Sequence, residues 1–418
     1  MRHFILVFTI YFSLFTSAQA QVTYTLSQAI KAAEQNNPFL KANTLDVDIA
    51  KTDITSAKLI PNLSLSYETV HISKKSQLTE NTSWLNRQNL QTSWQLSKTF
   101  QLAGQRKNKI EAARSTAKIS EIELEEIRRG LYEDTANKWI EVWIAQKERD
   151  LILQALENID SLVHINAYRY KKEVITETEL YRTQLIAKQY EIQLKNTRQE
   201  YNWLLNELKF ITGQNEEILI NENDENLIEF PPTLDSLVQI ALDNRPDIKA
   251  LRETQHWADV NIKLQKSLAI PQPEIGIIYN PQNTVPYIGV SAAMELPFFS
   301  RNQGEIEKAQ IQKKQSEYQS EAIQKNLHTE VSNAWSQYQV YKQNVEEYHA
   351  IIRQSQKILN SVKYAYTRGG TTIIDFLEAQ RSWLETQQEY FEMIKQYRQS
   401  EILLLNSIGL LKNLAQSQ

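Results

Sequence analysis

The sequence has no cysteine and little glycine or proline, with 9 glycines and 10 prolines in 418 residues. The missing cysteines exclude disulfides, thiolate metal sites and thiol catalysis, and they leave no attachment point for a lipid anchor. Average proteins carry about 7% glycine and about 5% proline, so this chain is poor in residues that break helices. No proline lies between Pro61 and Pro231, and none follows Pro297. These uninterrupted stretches predict very long helices.

Long apolar runs are also missing, except at the N-terminus. There Arg2 precedes the apolar stretch 4–15, and the small-residue site Ala18-Gln19-Ala20 follows. This pattern is typical of a secretory signal peptide over residues 1–20, so we expect the mature chain to start near Gln21. No later segment has the roughly 18 apolar residues that a spanning helix needs. An exported chain of this kind is expected to be periplasmic, secreted or an outer-membrane β-barrel.

The chain contains two copies of one unit. Residues 25–42 (TLSQAIKAAEQNNPFLKA) align without a gap to residues 233–250 (TLDSLVQIALDNRPDIKA). A second register, in which Tyr170 matches Tyr366, holds over a long downstream span. The mature chain is therefore divided into a first repeat (residues 21–213), a linker or equatorial segment (214–232) and a second repeat (233–418).

Each repeat contains two segments in which apolar and polar residues alternate, as in half-buried strands. Leu63, Leu65 and Tyr67, for example, alternate with serines. One apolar face and one Ser/Gln-rich face predict the wall of a transmembrane β-barrel, with lipid outside and water inside. A soluble hairpin packed on a core is the alternative. The predicted strands cover residues of about 61–71, 88–100, 271–280 and 286–296, and the first pair has the longer connecting loop.

The remaining segments have apolar residues every three or four positions and are predicted helices. The helix over about 105–171 would span roughly 100 Å at a rise of about 1.5 Å per residue. Narrow apolar stripes over so many turns predict coiled-coil packing. Two strand pairs cannot close a barrel of useful bore, so the geometry requires several chains to assemble. Each repeat thus reads as helix, strand, strand, helix.

Over essentially the whole mature chain, the sequence resembles the TolC-like outer membrane factor family. The resemblance rests on the duplicated "A…NP.L.A" helix, the proline that initiates each strand pair and the stretch YTRGGTTIIDFLEAQRSWLETQQEY. It implies a mainly α protein with a transmembrane β-barrel portion. In that family a homotrimer forms one barrel of twelve strands, four per chain, above a long periplasmic α-helical coiled-coil barrel. The helical hairpin tips dock with a periplasmic adaptor protein and an inner-membrane pump or transporter.

A finer resemblance is to the heavy-metal branch, the outer-membrane subunits of cobalt–zinc–cadmium-type resistance–nodulation–division (RND) pumps. The run LPFFSRNQGEIEKA matches that branch's "LP.F.RNQG.I..A". Its counterpart QLAGQRKNKIEAA departs from the family's "E.GGKR…R…A", with Gln101 for the acid and Ala103 for the first glycine. Both runs lie where a strand must bend into a helix, and we expect the proline to end the strand and the asparagine to cap the helix. The predicted strand-to-helix turn residues are Gly104, Pro297, Arg301, Asn302 and Gly304.

The second hairpin tip, about 367–375, is the richer in functional candidates. Its turn is Arg368-Gly369-Gly370-Thr371, because glycines permit the positive φ of a tight reversal. Asp375 and Glu378 lie on one face of the returning helix. In a trimer they would form two rings of carboxylates at a cation-selecting constriction, and the family has acidic rings at the matching positions. Alternatively, they are first-turn acids favoured by the helix dipole.

Tyr366 matches a tyrosine that ties the closed tip in the family, although the arginine that often completes that latch is Thr371 here. The first tip, about 171–178, lacks glycine. It is expected to dock the adaptor through Lys171, Lys172 and Glu173, or else to be a solvated loop. In the strands, Tyr67, Trp94, Tyr279 and Tyr287 are candidates for interfacial aromatic girdles.

No motif for catalysis or for a cofactor is present, and the histidines are too scattered to predict a metal site. The net charge of −4 argues against nucleic acid as a partner. The sequence therefore predicts no enzyme but a passive exit duct of a tripartite efflux pump, exporting divalent heavy-metal cations. The duct is expected in the outer membrane, with its helical part in the periplasm. Drug efflux, type I protein secretion and a soluble periplasmic coiled-coil scaffold are the alternatives.

Overall fold

The structure, a computed structural model, describes residues 22–214, 218–221, 230–231, 233–282 and 285–416. The predicted signal peptide lies outside these residues, as does most of the predicted linker. The first repeat contains helices α1 (Leu26–Asn36) and α2 (Pro38–Lys58), strands β2 (Leu63–His71) and β3 (Leu90–Thr99), and helices α3 (Gln105–Lys171) and α4 (Glu177–Thr212). The second contains α5 (Leu234–Asn244), α6 (Pro246–Leu268), β5 (Glu274–Gln282), β6 (Val285–Ala293), α7 (Gln303–Thr367) and α8 (Ile373–Ser407). The duplicated helix–strand–strand–helix architecture is as predicted.

The first helix of each repeat is broken in two, although the sequence pattern predicted one helix over about 25–59 and one over about 233–268. The breaks fall at Asn37 and Arg245, which have extended ψ values of 122° and 129°. Each residue precedes a proline, whose ring disfavours the helical conformation in the residue before it. Proline is tolerated at the first position of a helix, so α2 and α6 restart there.

The described chain divides into two compact units. The helical unit contains the described residues within Met1–Pro38, Arg128–Ile240 and Glu330–Gln418, and the sheet unit contains those within Phe39–Ile127 and Ala241–Thr329. In α4, most of the buried residues are separated by steps of three, four or seven, as the a and d positions of a coiled coil are. They are Leu180, Thr183, Ala187, Tyr190, Leu194, Tyr201, Leu204 and Leu208.

A small parallel sheet in the helical unit was not predicted from the sequence. Strand β1 (Val22–Tyr24) pairs with β4 (Ile218–Ile220), which lies in the predicted linker. Trp139 of α3 donates a 3.1 Å hydrogen bond from its indole to the Tyr24 carbonyl oxygen. A three-residue strand is too short to show alternation, so its position depends on partners distant in sequence. The last helix of the described chain, α9 (Lys412–Gln416), is also in this unit.

The sheet unit holds four antiparallel strands in the order β2-β3-β5-β6. The register aligns Tyr67, Trp94, Tyr279 and Ile288 in one row across the apolar face. The opposite face carries the row of Ser64, Ser97, Gly276 and Ser291. The predicted alternation of one apolar and one polar face is therefore correct.

The strand register shows that one of the four residues predicted to form aromatic girdles was assigned to the wrong face. Tyr287 pairs with Asn280 and so lies on the same face as the serine row, not on the apolar face. Ile288 is its neighbour on the apolar side. A one-residue step along a strand always exchanges the two faces, and for this reason aromatic character alone did not place Tyr287 correctly.

Among the described residues, no helix combines the length and the apolar character needed to cross a membrane.

Candidate functional site

The first hairpin tip is closed by a residue with a left-handed backbone. Helix α3 ends at Lys171, and Glu173 then has a φ of +58° although it is not glycine. The Val174 amide donates a 3.0 Å hydrogen bond back to the Arg169 carbonyl oxygen. Thr176 starts α4 with a capping box, in which its hydroxyl and the Glu179 carboxylate each accept from the other's backbone amide.

The second tip has the same construction in the register that matches Tyr170 with Tyr366. Gly369, at the position equivalent to Glu173, has a φ of +76°. The Gly370 amide donates a 2.8 Å hydrogen bond to the Ala365 carbonyl oxygen. Thr372 and Asp375 form the capping box of α8, as Thr176 and Glu179 do for α4. The two tips are therefore one turn design, and only the second has glycine at the left-handed position.

Three contacts within the helical unit join α7 to α3 close to the tips. The side chain of Tyr366 is 4% exposed, and its hydroxyl donates a 2.8 Å hydrogen bond to Oδ1 of Asn166. The Arg169 guanidinium lies 5.1 Å from the centre of the Tyr366 ring and donates a 2.8 Å hydrogen bond to the Thr367 carbonyl oxygen. We call Asn166, Arg169 and Tyr366 the tip latch.

Sequence reasoning identified Tyr366 but missed both of its partners. The family resemblance placed an arginine two residues after the glycine, where this chain has Thr371. The structure instead brings a guanidinium from the other hairpin, through Arg169. The only signal in the sequence was the presence of Asn166 and Arg169 within two turns of the first tip.

The Asp375 carboxylate accepts hydrogen bonds at the start of α8. Its Oδ2 atom accepts from the Thr371 hydroxyl at 2.6 Å, the Thr372 hydroxyl at 2.7 Å and the Thr372 amide at 3.1 Å. These hydrogen bonds, from Thr371 first and Thr372 second, lower the pKa of Asp375. The carboxylate remains exposed and therefore stays ionised and accessible.

Glu378 does not share those partners. It forms a 2.9 Å ion pair with Arg381, one turn further along α8, with side-chain exposures of 63% and 64%. An exposed pair of this kind contributes little stability, but the cation offsets the carboxylate's charge locally. Of the two predicted acids, Glu378 is thus paired with a cation, whereas Asp375 accepts its hydrogen bonds from threonines.

At each tip, a cation that was predicted to dock the adaptor lies over a tyrosine ring. The two pairs occupy equivalent positions in the repeats. The Lys172 ammonium lies 5.8 Å from the centre of the Tyr168 ring, and the Arg368 guanidinium lies 4.3 Å from that of Tyr364. Both tyrosines are exposed, as are Lys171 and Glu173. Each tip therefore presents an aromatic ring with a cation above it.

The strand-to-helix turns agree only partly with the predictions. Gly104 has a φ of +74° directly before α3, and Ala103 has a φ of +52° at the place of the family's first glycine. Strand β6 ends at Ala293, so Pro297 does not end the strand.

Asn302 precedes α7 with a φ of +58°, and its side-chain amide donates to Gln265 of α6 instead of capping the helix. Arg301 donates a 3.0 Å hydrogen bond from Nε to the Pro297 carbonyl oxygen. Gly304 lies inside the first turn of α7, with open space where a Cβ atom would be, so it is not part of the turn. Through Asn302, this strand-to-helix motif connects α6 to the start of α7.

Within the part of the chain that the structure describes, no three His, Cys, Asp or Glu side chains come together in a way that could hold a metal ion. The tips and the latch therefore present hydrogen-bonding, charged and aromatic groups, and no metal cluster.

Two long helical hairpins joined to a four-stranded sheet with one apolar face define the subunit of an outer-membrane channel. The sequence profile of the outer membrane efflux protein family matches residues 29–214 and 237–410, which is most of the chain. The chain belongs to the outer membrane efflux protein family, as the resemblance predicted. This family and fold are those of a transport channel and not of an enzyme class.

The chain is similar in sequence to proteins of cation resistance and efflux. It is 23% identical over 394 residues to the cobalt-zinc-cadmium resistance protein CzcC of Cupriavidus metallidurans, covering 92% of this chain and 90% of that protein. It is 24% identical over 201 residues to the cation efflux system protein CusC of Escherichia coli, covering 46% of this chain and 43% of that protein.

Solved structures share the fold. A crystal structure of CusC superposes with a TM-score of 0.77 at 19% identity and covers 93% of each chain. The Campylobacter jejuni CmeC outer membrane channel superposes with a TM-score of 0.75 at 17% identity, covering 92% of this chain and 85% of that one. At these identities the likeness establishes the fold.

Proposed function

We propose that this protein is the passive exit duct of a tripartite efflux system that exports divalent heavy-metal cations. The observation that carries the proposal is the end-to-end match to a cobalt-zinc-cadmium resistance protein, over 92% of this chain and 90% of the relative. The resemblance of Leu296–Ala309 to the heavy-metal branch motif agrees with it. The duct itself performs no chemistry, and the partner pump supplies the energy.

The working unit is a homotrimer. Within one chain β2 and β6 each have a single neighbour in the described sheet, so each leaves one edge to pair. Exposed strand edges join readily to strands of other chains, and a closed barrel removes them. Three copies, with β2 of one beside β6 of the next, would give a twelve-stranded barrel around the polar face.

The helical tips form the gate and the docking surface. The tip latch holds the second hairpin against the first within each chain, and its release would let the tips separate. Asp375 would form an anionic ring around the constriction, with Glu378 partly offset by Arg381. A periplasmic adaptor would contact the exposed pairs Lys172–Tyr168 and Arg368–Tyr364, and an inner-membrane RND transporter would complete the assembly.

The substrate is tested by deleting the gene and measuring growth in zinc, cobalt, cadmium and copper salts and in common drugs. We expect the deletion strain to be sensitive to one or more of the metals. The intact gene should restore wild-type tolerance. Unchanged metal tolerance together with new drug sensitivity would replace the metal assignment with drug efflux. A secretion defect without either sensitivity would indicate a type I channel.

Docking is tested by complementing the deletion with a K172A/R368A variant. We expect it to reach the outer membrane in normal amounts but to restore metal tolerance poorly, because both tip cations are lost. K314Q, an exposed lysine on α7 outside the tips, is the control. Purification of the wild type as a monodisperse dimer without detergent would overturn the duct altogether and favour the soluble scaffold.

A further inference from the structure

The long loop between β2 and β3 is tightly folded at the end of the sheet away from the helices. Asn89, buried at its base, donates to the Thr82 hydroxyl and to the Ser83 carbonyl oxygen, both at 2.8 Å. Its Oδ1 atom accepts from the Thr79 amide at 2.9 Å. One side chain thus ties the segment from Thr79 to Ser83, directly before Trp84, to the base of the loop.

Trp84 is placed by this loop on the apolar side of the sheet. Its ring stacks on His71 with centroids 4.4 Å apart, and its indole donates a 3.1 Å hydrogen bond to the Ile72 carbonyl oxygen. His71 has the same parity along β2 as Leu63, Leu65 and Tyr67, and it is the last residue of that strand. Trp84 therefore extends the apolar face beyond its end.

The apolar extension remains open. Trp84 is 51% exposed and the next residue, Leu85, is 71% exposed. Further in, the Tyr67 and Trp94 rings pack with centroids 4.6 Å apart on the same face. Aromatic rings concentrate where the hydrocarbon of a membrane meets its headgroups, so Trp84 marks a level outside the Tyr67–Trp94 row.

The same loop carries the cations. Lys74 and Lys75 follow His71 closely, and Arg87 lies three residues after Trp84; all three are exposed. Glu80 is the single acid between residues 72 and 89. The connection between β5 and β6 has no charged residue at all from Asn280 to Tyr287. The excess of positive charge therefore belongs to the loop that also presents Trp84 and Leu85.

We infer that this loop is a binding site for a phosphorylated lipid headgroup of the outer leaflet. Trp84 and Leu85 would enter the boundary of the acyl chains, while Lys74, Lys75 and Arg87 would pair with the phosphates. Lysine and arginine near an anionic membrane surface are each attracted to it. The inference rests on the family's place in the outer membrane and is independent of the exported substrate.

The test uses the full-length protein purified in detergent and titrated with diphosphoryl lipid A, with bound lipid counted by native mass spectrometry. We expect the K74Q/K75Q/R87Q variant to bind this lipid roughly 10- to 100-fold more weakly than the wild type. The matched control is K314Q/R353Q/K357Q, which removes two lysines and one arginine from exposed positions on α7. It should bind as the wild type does.

Two further probes separate the sources of binding. Lipid A with its phosphates removed should bind as weakly to the wild type as diphosphoryl lipid A binds to the loop variant. The L85S variant should also weaken binding, and since Leu85 is exposed, this change should leave the loop folded. Equal binding by the wild type and the loop variant would overturn the inference. Full competition by millimolar inorganic phosphate would overturn the lipid assignment.

Discussion

The Tyr366 hydroxyl donates a 2.8 Å hydrogen bond to Oδ1 of Asn166, and both side chains are buried although they stand 200 positions apart in the chain. This bond ties α7 of the second hairpin to α3 of the first. The Asn166 amide nitrogen has no hydrogen-bond partner among the described residues. Tyr366 therefore supplies the hydrogen bond that this buried side chain makes through its oxygen.

Tyr366→Phe should weaken the tip latch. The change removes the hydroxyl but keeps the ring, so a buried asparagine loses its hydrogen bond at a cost of about 1–3 kcal/mol. We expect a larger open fraction in planar-bilayer conductance than for the wild type, because the closed tip is the state that loses the bond. Tyr364→Phe, two residues away on an exposed ring, is the control. Equal conductance of both variants would contradict a latch role.

Asp375→Asn and Glu378→Gln should differ in their effect on ion selectivity. Asp375 has a lowered pKa, so its charge persists between pH 8 and pH 5 and selectivity for cations should be constant over that range. Asp375→Asn should reduce it throughout, whereas Glu378→Gln should have the smaller effect because Arg381 already offsets that charge. Reversal potentials in a salt gradient measure both. Unaltered selectivity in Asp375→Asn would leave this residue as a helix cap alone.

Glu173→Gly should stabilise the first tip. A residue other than glycine in the left-handed region costs roughly 1–2 kcal/mol, and Glu173 has a φ of +58°. The opposite change at the equivalent position, Gly369→Ala, should be destabilising by a similar amount, since Gly369 has a φ of +76°. Thermal unfolding of the two variants gives the comparison. The hypothesis of one shared turn design fails if both changes shift the Tm in the same direction.

Gly276→Ala should destabilise the sheet, while Gly289→Ala on the neighbouring strand should not. A Cβ atom at Gly276 would lie 2.8 Å from the Ser291 hydroxyl and 2.8 Å from the Ser97 Cβ atom, closer than packed atoms tolerate. A Cβ atom at Gly289 would meet nothing within 4 Å. We expect about 1–3 kcal/mol of overpacking for Gly276→Ala, seen as a lower yield of heat-resistant oligomer on gels. Equal yields would contradict the close approach of these strands.

Several features of the site were recognised from the sequence because their signals are local. The turn Arg368-Gly369-Gly370 was identified by its glycines, and Asp375 was recognised as a possible first-turn acid of the helix that follows. The equivalent turn at Glu173 was treated as a polar loop, since a glutamate carries no sign that its backbone is left-handed. The role of Asn302 was predicted as a cap, but its amide reaches Gln265 of another helix. Such a contact depends on how α6 and α7 lie side by side.

The repeat, the long helices and the two-faced strands were determined by the sequence itself. Each follows from periodicity or from the placement of prolines, which act on neighbouring residues and need no knowledge of the fold. The tertiary structure alone decided that Arg169 lies over Tyr366 and that Trp84 stacks on His71. These relations depend on the rotation of one helix and on the path of a loop. Each is set by packing between segments that are distant from one another in the sequence.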